Sequence, residues 1–133
     1  MFVYLNMNPD RNRTFDCVIR GVSFVTGEDW DTTFLWIAIE CLKYHDMPEQ
    51  NYIWAGYLKR LGFKRYLLPD TCPDCYTVRD FCRDFPEGTY LLVIINYGGN
   101  GGHVVAVKDG DYYDTWDSGN EVPTYFWVKE NYG

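Results

Sequence analysis

The sequence predicts an α+β fold in which N-terminal helices pack on a C-terminal antiparallel β-sheet. Apolar residues recur at helical spacing over much of residues 17–61, a pattern typical of amphipathic helices. Residues 89–96 then form a continuous apolar run, and residues 103–117 show the pattern of two strands joined by Asp-Gly. Because helices come first and strands follow, we expect the helices to lie against one face of the sheet.

Size and charge limit the possible functions. The chain has 133 residues, of which 47% are hydrophobic, so we expect a single domain over residues 1–133 with a packed core. Its net charge is −7 and its basic residues are not clustered, which argues against nucleic-acid binding. No apolar run is long enough for a membrane span or a signal peptide, so a cytoplasmic location without a membrane partner is expected.

Three helices are predicted in the first half of the chain. The first begins after Asp16, which can cap it, and ends before Gly27. The second runs from about Thr32 to Tyr44 after a cap at Asp29 or Asp31. Its expected inward residues are Phe34, Ile37, Ala38, Cys41 and Leu42. The third covers roughly residues 49–61 and ends at Gly62, where a left-handed residue is needed.

The second half contains the predicted strands. Residues 63–68 form a short strand, and residues 69–75 form a loop. Thr77 caps a short helix that ends near Asp84. The strand at 89–96 has the composition of one buried on both faces, and a last strand covers about 124–129.

The hairpin at 103–117 places two polar side chains together. Asp109 and Gly110 favour a type I′ turn, which pairs Lys108 with Asp111. His103 and Asp114 then share a face and are diagonal neighbours. Asp117 falls on the opposite face, unless a bulge shifts the strand by one residue and turns it inward.

Cys17 lies at the start of the first predicted helix. The free N–H groups and partial positive charge of a helix N-terminus favour a thiolate and can bind an oxyanion. The alternative is that Cys17 only packs under the sheet, as many cysteines do. Arg20, one turn later, is expected to pair with Asp16 at the surface, or else to face a cleft and bind an anionic group.

A helix-N-terminal Cys, a His that opens a strand and an acidic residue on the next strand resemble the papain-like cysteine peptidases. The resemblance is closest to the small peptidase-C39-like and butirosin-type branch. It also extends to small uncharacterised proteins of Gram-positive bacteria and their phages. The segments that carry it are Asp16-Cys17-Val18-Ile19-Arg20, Thr77-Val78-Arg79-Asp80-Phe81, Gly88-Thr89-Tyr90, His103-Val104-Val105-Ala106-Val107 and Asp114-Thr115-Trp116-Asp117-Ser118.

This resemblance implies a fold, an activity and a set of site residues. It implies a papain-like fold and a cysteine-nucleophile hydrolase that needs no cofactor and acts on a peptide, a protein or a small molecule. Cys17 would be the nucleophile, His103 the general base and Asp114 its orienter, with Asp117 as the rival orienter. Trp116 would shield the His–Asp pair from water. In a phage protein, the expected location is the cytoplasm of the bacterial host.

The oxyanion hole is the open part of this hypothesis. Papain-type enzymes place a Gln shortly before the Cys, and this chain has no Gln there. Asn12 is the nearest amide, ahead of Asn8 and Asn6, although the favoured interpretation is that it only stabilises a loop. The short segment between Cys17 and His103 also leaves little material for a peptide cleft. Both features suit the alternative function, a non-catalytic binding protein that sequesters a small ligand or a host protein.

The remaining cysteines suggest a metal site as a less favoured hypothesis. In a chain without a secretion signal we expect thiols or metal ligands rather than disulfides. Cys72 and Cys75 have zinc-knuckle spacing, and Cys82 is a possible third ligand. A four-ligand set would instead add Cys41 and His45 to the Cys72/Cys75 pair. The favoured expectation is that no metal is bound.

Overall fold

The computed structural model describes residues 1–95 and 102–130, and it shows the α+β class that the sequence predicts. This part of the chain contains four helices and one six-stranded sheet. The helices are α1 (Cys17–Thr26), α2 (Trp30–Tyr44), α3 (Asn51–Arg60) and α4 (Val78–Asp84). The strands are β1 (Phe2–Tyr4), β2 (Phe63–Leu67), β3 (Thr89–Ile94), β4 (His103–Lys108), β5 (Asp111–Asp114) and β6 (Tyr125–Lys129).

The strand order across the sheet is β1-β5-β4-β3-β6-β2. Four of the strand pairs are antiparallel, as expected, but β1 pairs with β5 in parallel and makes the sheet mixed. Strand β1 is not predicted from the sequence, because three residues are too few to show an alternating pattern. The predicted end of β3 at Asn96 lies outside the described residues.

The sheet is covered on both faces, which corrects the expectation of helices on one face only. Leu91 and Val93 pack into the core beneath α1, α2 and α3. Leu92 and Ile94 point the other way, into a second core with Phe81 of α4. Successive side chains of a strand point to opposite faces, so an uninterrupted apolar strand needs cover on both sides. Helix α4 provides that cover.

Helix α2 begins where one of its two predicted caps lies. The Asp29 carboxylate accepts a hydrogen bond from the Thr32 backbone N–H at 2.7 Å. Its inward residues were predicted less well. Of the five expected, only Ile37 is fully buried, whereas Phe34 and Leu42 are exposed. Helix α2 is apolar on nearly every side, so periodicity alone does not reveal which side faces the core.

The hairpin of β4 and β5 forms with the predicted turn and register. Asp109 and Gly110 have φ values of 50° and 82°, the two positive values that a type I′ turn requires. Lys108 pairs with Asp111, so the strand alternation places His103 and Asp114 as predicted. Within the two described ranges, no helix has both the length and the apolar character needed to cross a membrane.

Candidate active site

Three sequence-predicted residues meet at one end of the sheet. Cys17 is the first residue of α1, His103 opens β4 and Asp114 closes β5. His103 Nε2 lies 2.6 Å from Asp114 Oδ2, and the His103 ring also forms a hydrogen bond with the Cys17 thiol. Because Nε2 is engaged with the carboxylate, Nδ1 is the ring nitrogen that remains for the sulfur. The nucleophile, base and orienter of the hypothesis are therefore in contact.

The Cys17 thiol lies in surroundings that favour its ionised form. Burial by itself raises the pKa of this thiol. The hydrogen bond and positive charge of His103, the Val104 N–H and the charge of Arg20 outweigh that effect, so the pKa of Cys17 lies below its ordinary 9.0. Cys41 and Cys82 differ, since burial raises the pKa of both, that of Cys82 to about 11. Of the three free cysteines, Cys17 is the one whose surroundings favour the thiolate.

His103 is held in its protonated form by two partners. Burial opposes protonation, but hydrogen bonds with Asp114 and Cys17 outweigh it and raise the pKa of His103 to about 9. A lowered Cys17 pKa and a raised His103 pKa both favour the thiolate and imidazolium forms of the pair. Only about a fifth of the His103 side chain is exposed (21%), so solvent weakens this interaction little.

The Asp114 carboxylate is fully buried and has hydrogen-bond partners on both oxygens. Oδ1 accepts from Arg20 Nη2 at 2.9 Å and from the Thr115 backbone N–H at 2.7 Å. Oδ2 faces His103 and accepts from the Ser118 hydroxyl at 2.7 Å. The contact of Ser118 is not predicted from the sequence, since its only local signal is its position four residues after Asp114. These contacts fix the plane of the carboxylate that orients His103.

Arg20 and Asp16 adopt neither of the arrangements expected from the sequence. Arg20 is buried and does not face a cleft, and its pair with Asp16 (Nη1 to Oδ1, 2.9 Å) is buried rather than exposed. The Asp16 side chain does not cap α1, although Asp16 occupies the N-cap position. Its second oxygen instead accepts from the Trp30 indole N–H at 2.9 Å, a contact that no local pattern predicts.

Trp116 covers part of the His103 ring. The two ring centres are 5.1 Å apart with an angle of 32° between the planes, and Trp116 itself remains half exposed. This is the position expected for the shielding tryptophan. Asp117 is not the orienter, because it is exposed and bonds Arg79 at 3.0 Å and the Tyr112 hydroxyl at 2.5 Å. No bulge turns it inward.

A small cavity of about 200 Å³ adjoins the site. Asn12, the oxyanion candidate, borders this cavity together with Asp16 and Trp116. The side chains of Asn6 and Asn8, the weaker candidates, hold the loop by hydrogen bonds to backbone atoms within residues 8–12. Asn12 joins this loop network through its backbone N–H and carbonyl. Its side chain therefore remains the better-placed candidate amide.

The Cys72/Cys75 pair forms a disulfide, contrary to the expectation of thiols or zinc ligands. Two residues between the cysteines are enough to bring their sulfurs together, so this spacing suits a disulfide as well as a zinc knuckle. Cys82 is a residue of α4 that is buried in the second core, and Cys41 and His45 lie at the end of α2. Across residues 1–95 and 102–130, no group of three or more His, Cys, Asp or Glu side chains is arranged to hold a metal ion.

Comparisons of this chain with protein-family models, with curated proteins and with solved structures find no match. The site must therefore be interpreted from its own geometry.

Proposed function

We propose that this protein is a cysteine-nucleophile hydrolase or acyl transferase with a Cys17–His103–Asp114 triad on a papain-like fold. The observation that carries the proposal is the contact of His103 with both Cys17 and the buried Asp114. The contrast among the free thiols supports it, since only Cys17 has a lowered pKa. Helices α1, α2 and α3, which precede five of the six described strands, and a cysteine at the start of α1 support the papain-like assignment.

The proposed reaction uses each group once in each half. The Cys17 thiolate attacks a substrate carbonyl carbon, and the resulting oxyanion is bound by N–H groups at the start of α1, with Asn12 as the side-chain candidate. The bond to the leaving group breaks as His103 gives that group its proton. In the second half, neutral His103 takes a proton from water, the hydroxide attacks the thioester, and Cys17 leaves as a thiolate. Asp114 holds the imidazole throughout.

A small activated thioester, phenyl thioacetate, tests the proposal without requiring a peptide cleft. Wild-type protein should release thiophenol in a burst of about one equivalent and carry one acetyl group, which mass spectrometry places on Cys17. Cys17→Ser should remove both signals because a serine hydroxyl at this position lacks the thiolate. His103→Gln should reduce the rate of acetylation by about two orders of magnitude or more, the usual contribution of general acid–base catalysis.

Cys41→Ser is the matched control, since it removes a half-buried free thiol on α2 and should leave the burst intact. Acetylation spread over Cys17 and Cys41, or a rate at Cys17 that does not depend on His103, would contradict the proposed hydrolase.

A second candidate function is the non-catalytic binding protein. It is supported by α2, where large apolar side chains remain exposed over successive turns. These residues are Phe34, Leu35, Trp36, Ile39, Leu42 and Tyr44. Contiguous exposed apolar surface is typical of interaction sites. Removal of the thiol by Cys17→Ser would leave binding through α2 intact, whereas it would abolish the activity of a hydrolase.

A further inference from the structure

Arg20 is buried inside the candidate site and contacts two buried carboxylates. Its guanidinium donates to Asp16 from Nη1 and to Asp114 from Nη2, both at 2.9 Å. Only 5% of its side chain is exposed, so it cannot bind a substrate group without a rearrangement of the core. Its function must therefore act through the residues that it contacts.

The geometry suits an arginine rather than any other cation. A guanidinium presents several N–H donors in a fixed plane, so it can bond two carboxylates at once in set directions. On Asp114 it occupies Oδ1, together with the Thr115 N–H, and leaves Oδ2 to face His103. Without Arg20, the Asp114 carboxylate would lose one of the contacts that fix its plane.

The charges at the site also favour a cation at the position of Arg20. Asp16 and Asp114 are both buried, and the charge of Asp114 favours the protonated state of His103. The positive charge of Arg20 acts on the Cys17 thiol and favours its ionised form. Arg13, on the loop that borders the adjoining cavity, is a further cation near the site, but it is exposed to solvent.

We propose that Arg20 is the positioning residue of this site: its buried guanidinium holds Asp114 in the orientation that His103 needs and places a positive charge near Cys17. This inference rests on the proposed function, because it concerns how the triad is held ready to react. It assigns the reactive pH range of Cys17 to a residue outside the triad.

The test is the rate of Cys17 alkylation by iodoacetamide between pH 4 and 10.5, with the modified cysteine identified by mass spectrometry. Wild-type protein should show a rise where the thiolate forms and a second change near pH 9 where His103 loses its proton. Arg20→Gln removes a positive charge and should move both changes to higher pH, by about one pH unit. Arg20→Lys keeps the charge and should leave both changes in place, while the alkylation rate falls because Asp114 is held by fewer contacts.

Asp16→Asn should shift the pH profile of Cys17 alkylation in the opposite direction from Arg20→Gln. It removes a negative charge beside Cys17 and keeps an oxygen that can accept from Trp30, so both changes should move to lower pH. Opposite displacements from the two variants are not expected of a general loss of packing. Arg83→Gln is the control, since it removes an exposed positive charge of α4, which packs on the opposite face of the sheet from α1.

The outcomes separate this inference from the proposed function. If Arg20→Gln is folded but titrates like wild type, or if Arg20→Lys shifts as far as Arg20→Gln, the inference is wrong while the triad stands. If Arg20→Gln does not fold, the direction of the Asp16→Asn shift decides, and a shift to higher pH or no shift overturns the inference. If the alkylation rate of wild-type Cys17 does not rise at a lower pH than that of an ordinary thiol, the result would instead contradict the proposed function itself.

Discussion

Asp114→Asn tests the link on which the candidate site depends. The pKa of His103, about 9, lies well above the ordinary 6.5, a difference equivalent to about 3 kcal/mol in favour of the protonated ring. Two hydrogen-bonding partners, Asp114 and Cys17, produce that difference against the opposing effect of burial. An asparagine keeps the shape of Asp114 but removes its charge. We therefore expect the pKa of His103 to fall, so that its titration moves to lower pH by about one to two pH units.

Proton NMR can follow this change directly, because the chain contains only two histidines. His45 is exposed at the end of α2 and serves as an internal reference in the same spectra. Asp117→Asn is the matched control, since Asp117 is an exposed aspartate three residues away that bonds Arg79 and Tyr112. It should leave the His103 titration in place. An Asp114→Asn protein whose His103 titrates as in the wild type would refute the reasoning.

Three further predictions concern neighbouring features. Trp116→Ala should slow thioester cleavage by about 2- to 12-fold, the kinetic equivalent of the 0.5–1.5 kcal/mol of an aromatic contact. Trp36→Ala on α2 is the control and should not slow it. Equal rates for the two variants would show that the ring near His103 is irrelevant. Cys72→Ser/Cys75→Ser should lower the free energy of unfolding by about 2 kcal/mol, from the entropy of so short a loop. Urea titration should show the same loss of unfolding free energy when the wild-type protein is reduced. If five rather than three cysteines are alkylated in the unreduced, denatured protein, the result would contradict the disulfide. Phe81→Ala should cost about 3–5 kcal/mol in urea unfolding, because Phe81 is fully buried among Phe85, Tyr90 and Phe126 on the α4 side. The half-exposed Phe34→Ala should cost less, and a similar small cost for Phe81 would refute the second core.

The parts of the site that the sequence predicts are those set by local rules. The Asp109-Gly110 turn fixes the register of β4 and β5, and this register brings His103 to Asp114. The position of Cys17 follows equally from the start of a helix whose periodicity is visible in the chain.

The parts that the sequence does not predict depend on contacts between distant segments. The bond from Arg20 to Asp114 joins residues 94 positions apart, and nothing near Arg20 indicates which carboxylate it will meet. The same is true of Trp30 and Asp16, which a local pattern would treat as a core residue and a helix cap. The apolar composition of β3 implies cover on both faces of the sheet, and α4 packs on the second face. The order of the predicted elements, with helices before the sheet, instead favours an arrangement with helices on one face only.

The pH dependence of Cys17 alkylation in wild-type and His103→Ala protein tests the central claim most directly. Cys41 and Cys82 report in the same digest as thiols whose pKa values are raised. A working pair predicts a Cys17 thiolate that forms at a lower pH than an ordinary thiol and shifts upward when His103 is removed. A Cys17 that reacts no faster than Cys41, or whose titration is the same without His103, would contradict the account.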